Sequence, residues 1–175
     1  MNKERLLRLA SRLEKVASEH FNINKWYNKN GGVPAQVEKV TEYGEKKILS
    51  EGFCGSVACV LGHAALIKDF NEQGLFVVVD DYTESGRVGF FSEEGASFGF
   101  TAGEKFFEIP IEDAAVLFGA VESHRVWSRL YKEPESSLIT PQSVAAALRN
   151  YVATDGGSLV EARYEAQKEL ERTYG

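Results

Sequence analysis

The segment Leu75-Phe76-Val77-Val78-Val79 constrains the fold most. It is aromatic and β-branched, bounded by Gly74 and by Asp80-Asp81, and it reads as a strand. A second such run, Arg87 to Phe91, follows a turn at Glu84-Ser85-Gly86, and Ala96 to Phe100 is either a third strand or a loop carrying two aromatics. Strands this close in sequence pair antiparallel, because a parallel return needs a long crossover. On both sides the apolar period changes to that of a helix. Leu6, Leu9, Ala10, Leu13, Val16 and Ala17 form one stripe, with Arg5, Arg8, Arg12, Glu14 and Lys15 on the other faces, which predicts an amphipathic helix of about four turns. Ile111 to Phe118 reads as a helix between Pro110 and Gly119. Thr140-Pro141 opens another, running through Val152, and Ser158 with Glu161 fits a capping box for a last, mostly charged one. Residues 35–50 are expected to be an exposed loop with a short helix or strand, and residues 123–139 to be irregular. The predicted fold is α+β: helices packed on a small antiparallel sheet, one compact domain over residues 1–175, with the helix at about 158–173 peripheral.

The chain has 175 residues, 20 Lys+Arg and 26 Asp+Glu, a formal net charge of −6. That balance argues against a binder of duplex nucleic acid, which wants a basic surface. There are two cysteines, Cys54 and Cys59, too few for a disulfide scaffold. In one helix their Cα atoms would stand about 7.5 Å apart, beyond the reach of a disulfide. The start of the chain, MNKERLLRLASRLEK, has no apolar signal-peptide region. No stretch approaches the roughly 20 apolar residues of a membrane span. The expected setting is cytoplasmic, with no membrane partner.

The sharpest local feature is Cys54-Gly55-Ser56-Val57-Ala58-Cys59-Val60-Leu61-Gly62-His63-Ala64. It resembles a group of uncharacterised phage and bacterial proteins that share a pattern C-G-[ST]-x-A-C-x-x-G-[WH]-A. Three weaker features of the same group occur here in order: Phe21 to Trp26 as F-x-[IM]-x-x-W, Ala114 to Phe118 as A-x-x-L-F, and Thr140 to Ala145 as T-P-x-x-V-A. The resemblance touches about two-thirds of the chain. This sequence departs from it in having His63 where Trp is common, and in longer insertions around 28–50 and 80–105. The group offers no catalytic residues to carry over. What the resemblance implies is a setting, that of phage or mobile-element accessory proteins acting in the host cytoplasm. Such proteins often bind a host factor or sequester a nucleotide signal used in host defence.

The residues themselves allow several chemistries. Residues 55–68 read as a buried helix with Ser56 as N-cap, in which the cysteines pack as small hydrophobes. As an anion site, Gly55 and Ser56 would offer backbone N–H groups at the helix start. Trp26, Tyr82, Phe90 or Phe100 could then stack on a base, and Arg87 or Lys105 could take a phosphate. His63 is either a ligand contact or a satisfied core histidine. As a nucleophile, Cys54 beside a helix start would have a stabilised thiolate, with His124 as partner, and His20 and His63 as alternatives. A metal is not expected: Cys59 and His63 share a helix face near Cys54, but no second ligand pair exists. No complete catalytic constellation and no cofactor motif emerges. The expected function is therefore a non-catalytic accessory protein that binds a host protein or a small anionic, nucleotide-like ligand. The binding residues expected are Trp26, Gly55, Ser56, His63 and Arg87, and a homo-oligomer with sites between subunits is compatible. The alternative is a hydrolase or transferase using Cys54.

Overall fold

Alternation along the central hairpin sets the architecture. In the computed structural model, described for residues 1–23, 27–28, 37–39, 46–48, 57–79, 85–119, 126, 129–130 and 139–174, the two central strands are β5 (Leu75–Val79) and β6 (Ser85–Ser92). They pair antiparallel with Leu75 opposite Phe90, Val77 opposite Val88 and Val78 opposite Arg87. Side chains two apart share a face. Leu75, Val77 and Val88 therefore enter the helical core, while Phe76, Val78, Arg87, Gly89 and Phe91 take the opposite face. The second run begins earlier than the sequence suggests. Ser85 and Gly86, expected in the turn, already belong to β6, where they pair with β1.

Shorter strands complete the sheet: β1 (Tyr27–Asn28), β2 (Val37–Lys39), β3 (Lys46–Ile48), β4 (Val57–Ala58) and β7 (Gly95–Phe98). The order is β2-β3-β5-β6-β1-β4, with β7 also on β6, and every pairing is antiparallel. The α+β class is thus as expected, helices packed on an antiparallel sheet.

The helices cover one face. The first, α1 (Lys3–Leu13), stops a turn short of the predicted end: Leu6, Leu9, Ala10 and Leu13 are buried, but Ala17 is exposed. A short α2 (Val60–Ala65) and α3 (Lys68–Glu72) lie against β5. Next comes α4 (Phe100–Phe107), a helix that the sequence reading did not foresee, then α5 (Ile111–Phe118), which has the predicted bounds. In α4, Ala102, Gly103, Phe106 and Phe107 are buried. Phe106 sits edge-on to Phe90 at 5.4 Å and to Phe70 at 5.0 Å, which places α4 on the inner face.

The last two helices are α6 (Pro141–Ala153) and α7 (Gly157–Tyr174). Thr140 accepts from the Ser143 N–H and Ser143 answers the Thr140 N–H, each at 3.1 Å, a capping box that the Thr-Pro start announces. The box expected at Ser158 is absent. The Ser158 Oγ has no hydrogen-bond partner, and its N–H instead donates to Thr154 Oγ1 at 2.9 Å. The side chain of the preceding helix caps α7, so Ser158 is not needed.

Two glycines with similar backbones separate strain from crowding. Gly119 ends α5 at φ 113°, and a Cβ there would meet the Ile23 carbonyl oxygen at 2.3 Å. Gly95, at φ 111°, has nothing within 4 Å. Gly95→Ala should cost about 1 kcal/mol, the backbone term alone. Gly119→Ala should cost clearly more, read from urea unfolding midpoints; equal losses would contradict the crowding at Ile23.

Candidate functional site

The Cys-rich segment is not the helix start that its composition suggests. Val57 and Ala58 are drawn into the sheet, where Tyr27 pairs with Ala58 and Asn28 with Val57. Cys59 is the extended N-cap, with φ −77° and ψ −177°, and α2 begins only at Val60. The helix therefore starts five residues later than the expected start at residue 55. The helix is also interrupted at Leu66 and Ile67 instead of running to Lys68. Trp26, Cys54, Gly55, Ser56, Tyr82 and His124 lie outside the described residues.

The described half of the motif is core. His63 is fully buried. Its ring stacks on Phe21 at 6.0 Å, and Nε2 donates to the His20 carbonyl oxygen at 2.9 Å. A carbonyl oxygen only accepts, so Nε2 carries the proton of a neutral ring. Burial pushes its pKa down to about 4. A ligand at the surface does not reach this ring, which corrects its assignment as a binding residue. Cys59 is 1% exposed, and burial pushes its thiol up to about 11. A protonated, buried thiol is neither nucleophile nor metal ligand. Among the described residues no three His, Cys, Asp or Glu side chains are placed to hold a metal ion.

Function must be sought where the surface departs from the ordinary. One such place is a cleft of about 670 Å³ between α5, α6 and α7, lined by Glu108, Asp113, Tyr151, Asp155, Glu161 and Tyr164 among others. Inside it the Tyr151 hydroxyl donates to Asp113 Oδ2 at 2.6 Å, and Arg163 donates to Asp113 Oδ1 at 2.9 Å. Burial, and then the bond to Asp113, hold the Tyr151 phenol well above its usual range. Four carboxylates line this cleft, and three of them are ion-paired: Asp113 with Arg163, Asp155 with Lys3 and Glu108 with Arg5.

The other place is the outer face of the sheet. Phe91 and Phe98 are 45% and 39% exposed, unlike Phe90 and Phe100, which pack against the core. Register sets Phe98 opposite Gly89 and Ala96 opposite Phe91, so both rings share the face that carries Arg87. Phe91 stacks on Phe76 at 4.5 Å and 21°, and Phe98 meets Phe76 edge-on at 6.0 Å. Gly89 makes this possible. A Cβ there would lie 2.4 Å from the Phe76 ring and 2.9 Å from that of Phe98. The exposed Arg87 holds its guanidinium 4.4 Å from the centre of the Phe98 ring. Lys105, the other cation expected here, is paired with Glu94 at 2.8 Å.

Of the aromatics expected near Arg87, Phe90 and Phe100 pack against the core, and the rings that share the face of Arg87 are Phe91 and Phe98. Alternation along β6 and β7 could have found Phe91 and Phe98. The signal was obscured because Phe90 and Phe91 are adjacent, and only the register shows which of them points outward. Searches of family models, curated proteins and solved structures find no match to this chain. No helix among the described residues is long and apolar enough to cross a membrane.

Two measurements check the core assignment. In a Cys54→Ser chain, Cys59 should resist a thiol reagent at pH 8 until denaturant is added; rapid reaction of the native protein would contradict its burial. The folded pKa of His63, about 4, lies below its unfolded value of 6.5. Its contribution to stability is thus complete above about pH 6.5 and is lost as pH falls towards about 4, a loss of about 3 kcal/mol. An NMR titration should place its midpoint near 4, and a midpoint above 6 would contradict the buried neutral ring.

Proposed function

We propose that this chain is a non-catalytic binding protein that takes a small anionic, nucleotide-like ligand on the outer face of its sheet. One observation carries the reading: an arginine and two half-exposed phenylalanines share that face, with a glycine beneath them in place of a side chain. Exposed aromatic surface on a sheet is costly in water, and it is what base stacking uses. Guanidinium is the side chain best suited to phosphate. In the phage setting implied by the resemblance of the Cys54–Ala64 motif, such a protein would withdraw a nucleotide signal from host defence.

A thermal-shift screen across linear and cyclic nucleotides tests the reading. A ligand at 100 times its Kd adds about 2.7 kcal/mol of stability, a clear rise in Tm. Arg87→Ala should weaken binding of the best ligand about tenfold, by loss of a charge-assisted contact, while Cys54→Ser leaves it unchanged. If no nucleotide raises Tm, the proposal fails and a host protein becomes the partner to seek.

A further inference from the structure

Independently of the outer face of the sheet, we infer that the cleft between α5, α6 and α7 docks a basic segment of a partner protein, with apolar side chains of that segment on α7 and one of its cationic side chains among the carboxylates. Two features meet in this cleft, and the first is apolar. Besides Phe91 and Phe98, the exposed large hydrophobics among the described residues are Val160 at 65% and Tyr164 at 59%, and both line the cleft. Four positions apart on α7, they are neighbours on the helix surface. Helical spacing turns them away from Leu159, Ala162 and Ala166, through which α7 is buried, so they take no part in that packing. Exposed Pro110 continues the apolar lining at the start of α5. An apolar patch with a polar rim marks an interaction site.

The second feature is charge. The lining carries four carboxylates and no lysine, arginine or histidine. Two of the four are lightly held. Lys3 and Asp155, 3.0 Å apart, are each more than half exposed, and Arg5 stands 3.8 Å from the exposed Glu108. Ion pairs this wet contribute little, so an incoming cation can take the place of either partner at small cost. Glu161, next to Val160 and also exposed, has no cation partner among the described residues. Asp113 is different. It is mostly buried, and its two oxygens take the Tyr151 hydroxyl and Arg163, which makes it a fixed floor. An anion would find no free donor there, because the Tyr151 hydroxyl already donates to Asp113. A donor-rich cation finds acceptors. Tyr164 also suits a cation, since the Lys168 ammonium stands 4.3 Å from its ring centre. A segment fits better than a free amine: Val160 and Tyr164 are about 6 Å apart along the helix, and covering both takes apolar side chains on either side of the charge.

An NMR titration of the isotope-labelled full chain tests this. The probes are the blocked hexapeptide Gly-Leu-Lys-Leu-Lys-Gly, its counterpart with glutamate in place of lysine, and spermidine. The lysine peptide should shift the amides of residues 155–164 and bind about tenfold more tightly than the glutamate peptide, by charge complementarity, and more tightly than spermidine. Glu161→Lys should weaken it about tenfold, and Tyr164→Ala should do the same by removing the aromatic anchor. Tyr164→Phe, which keeps the ring, should bind like the wild type. Both side chains are exposed, and unchanged amide positions away from α7 check that the variants fold. Arg87→Ala, on the sheet, should leave the peptide affinity unchanged, so this site and the nucleotide site succeed or fail separately. The inference is overturned if millimolar lysine peptide shifts no amide of the cleft, if the glutamate peptide or spermidine binds as tightly, or if Glu161→Lys and Tyr164→Ala retain full affinity.

Discussion

The sheet works because its central hairpin is apolar on both faces for different reasons. On one face Leu75, Val77 and Val88 are fully buried under the helices. On the other, Phe76 packs against the rings of Phe91 and Phe98. An antiparallel sheet often leaves one face to solvent, with polar side chains on it. Here that face carries aromatics instead, and their burial is incomplete. The helical layer supplies the stability: Phe70, Phe106, Phe107 and Phe118 form a connected set of ring contacts at 5.0–6.0 Å. With the core complete on the inner side, the outer aromatics are available for a different purpose.

The cysteine motif, as far as it is described, belongs to the inner side of this division. Its described half, Val57 to Ala65, serves the core and the sheet at once. Ala58 pairs with Tyr27, bridges to Phe21 and accepts from the Asn22 N–H at 3.1 Å. His63 then ties the ring of Phe21 and the carbonyl of His20 to α2. These contacts hold the segment that follows α1 against the sheet edge. A cysteine, a glycine and three alanines in this stretch are explained by close packing, and its histidine by its stacking on Phe21 and its hydrogen bond to the His20 carbonyl.

Much of this was legible in the sequence, and the exceptions share a cause. Leu75–Val79, Ile111–Phe118 and the Thr140-Pro141 start are local signals: a β-branched run, a proline-to-glycine bracket and a cap. Each is complete within a few residues, so no distant partner was needed to read it. Residues 55–68 failed because Val57 and Ala58 answer to Tyr27 and Asn28, some thirty positions away, and pairing overrode a helical composition. The helix Phe100–Phe107 was missed although Ala102, Gly103, Phe106 and Phe107 recur at helical spacing, because Gly99, at φ 63°, ends the strand just before it. Of the site, the sequence pointed to Arg87, whereas the choice between Phe90 and Phe91 depended on a register that only the paired strands define.

The contact between the first and sixth helices has a consequence for synthesis. Gln142 donates to the Val16 carbonyl at 3.0 Å, and Arg149 pairs with Glu14 at 2.8 Å, so the helix packed most extensively on α1 lies well over a hundred residues downstream, although α2 also touches it. At a ribosomal pace of about 5–20 residues per second, the greasy stripe of Leu6, Leu9 and Leu13 waits roughly ten seconds or more for its cover. During that interval a nascent chain must keep the stripe from foreign surfaces, and the arginines spaced between those leucines, Arg5, Arg8 and Arg12, put charge on either side of it.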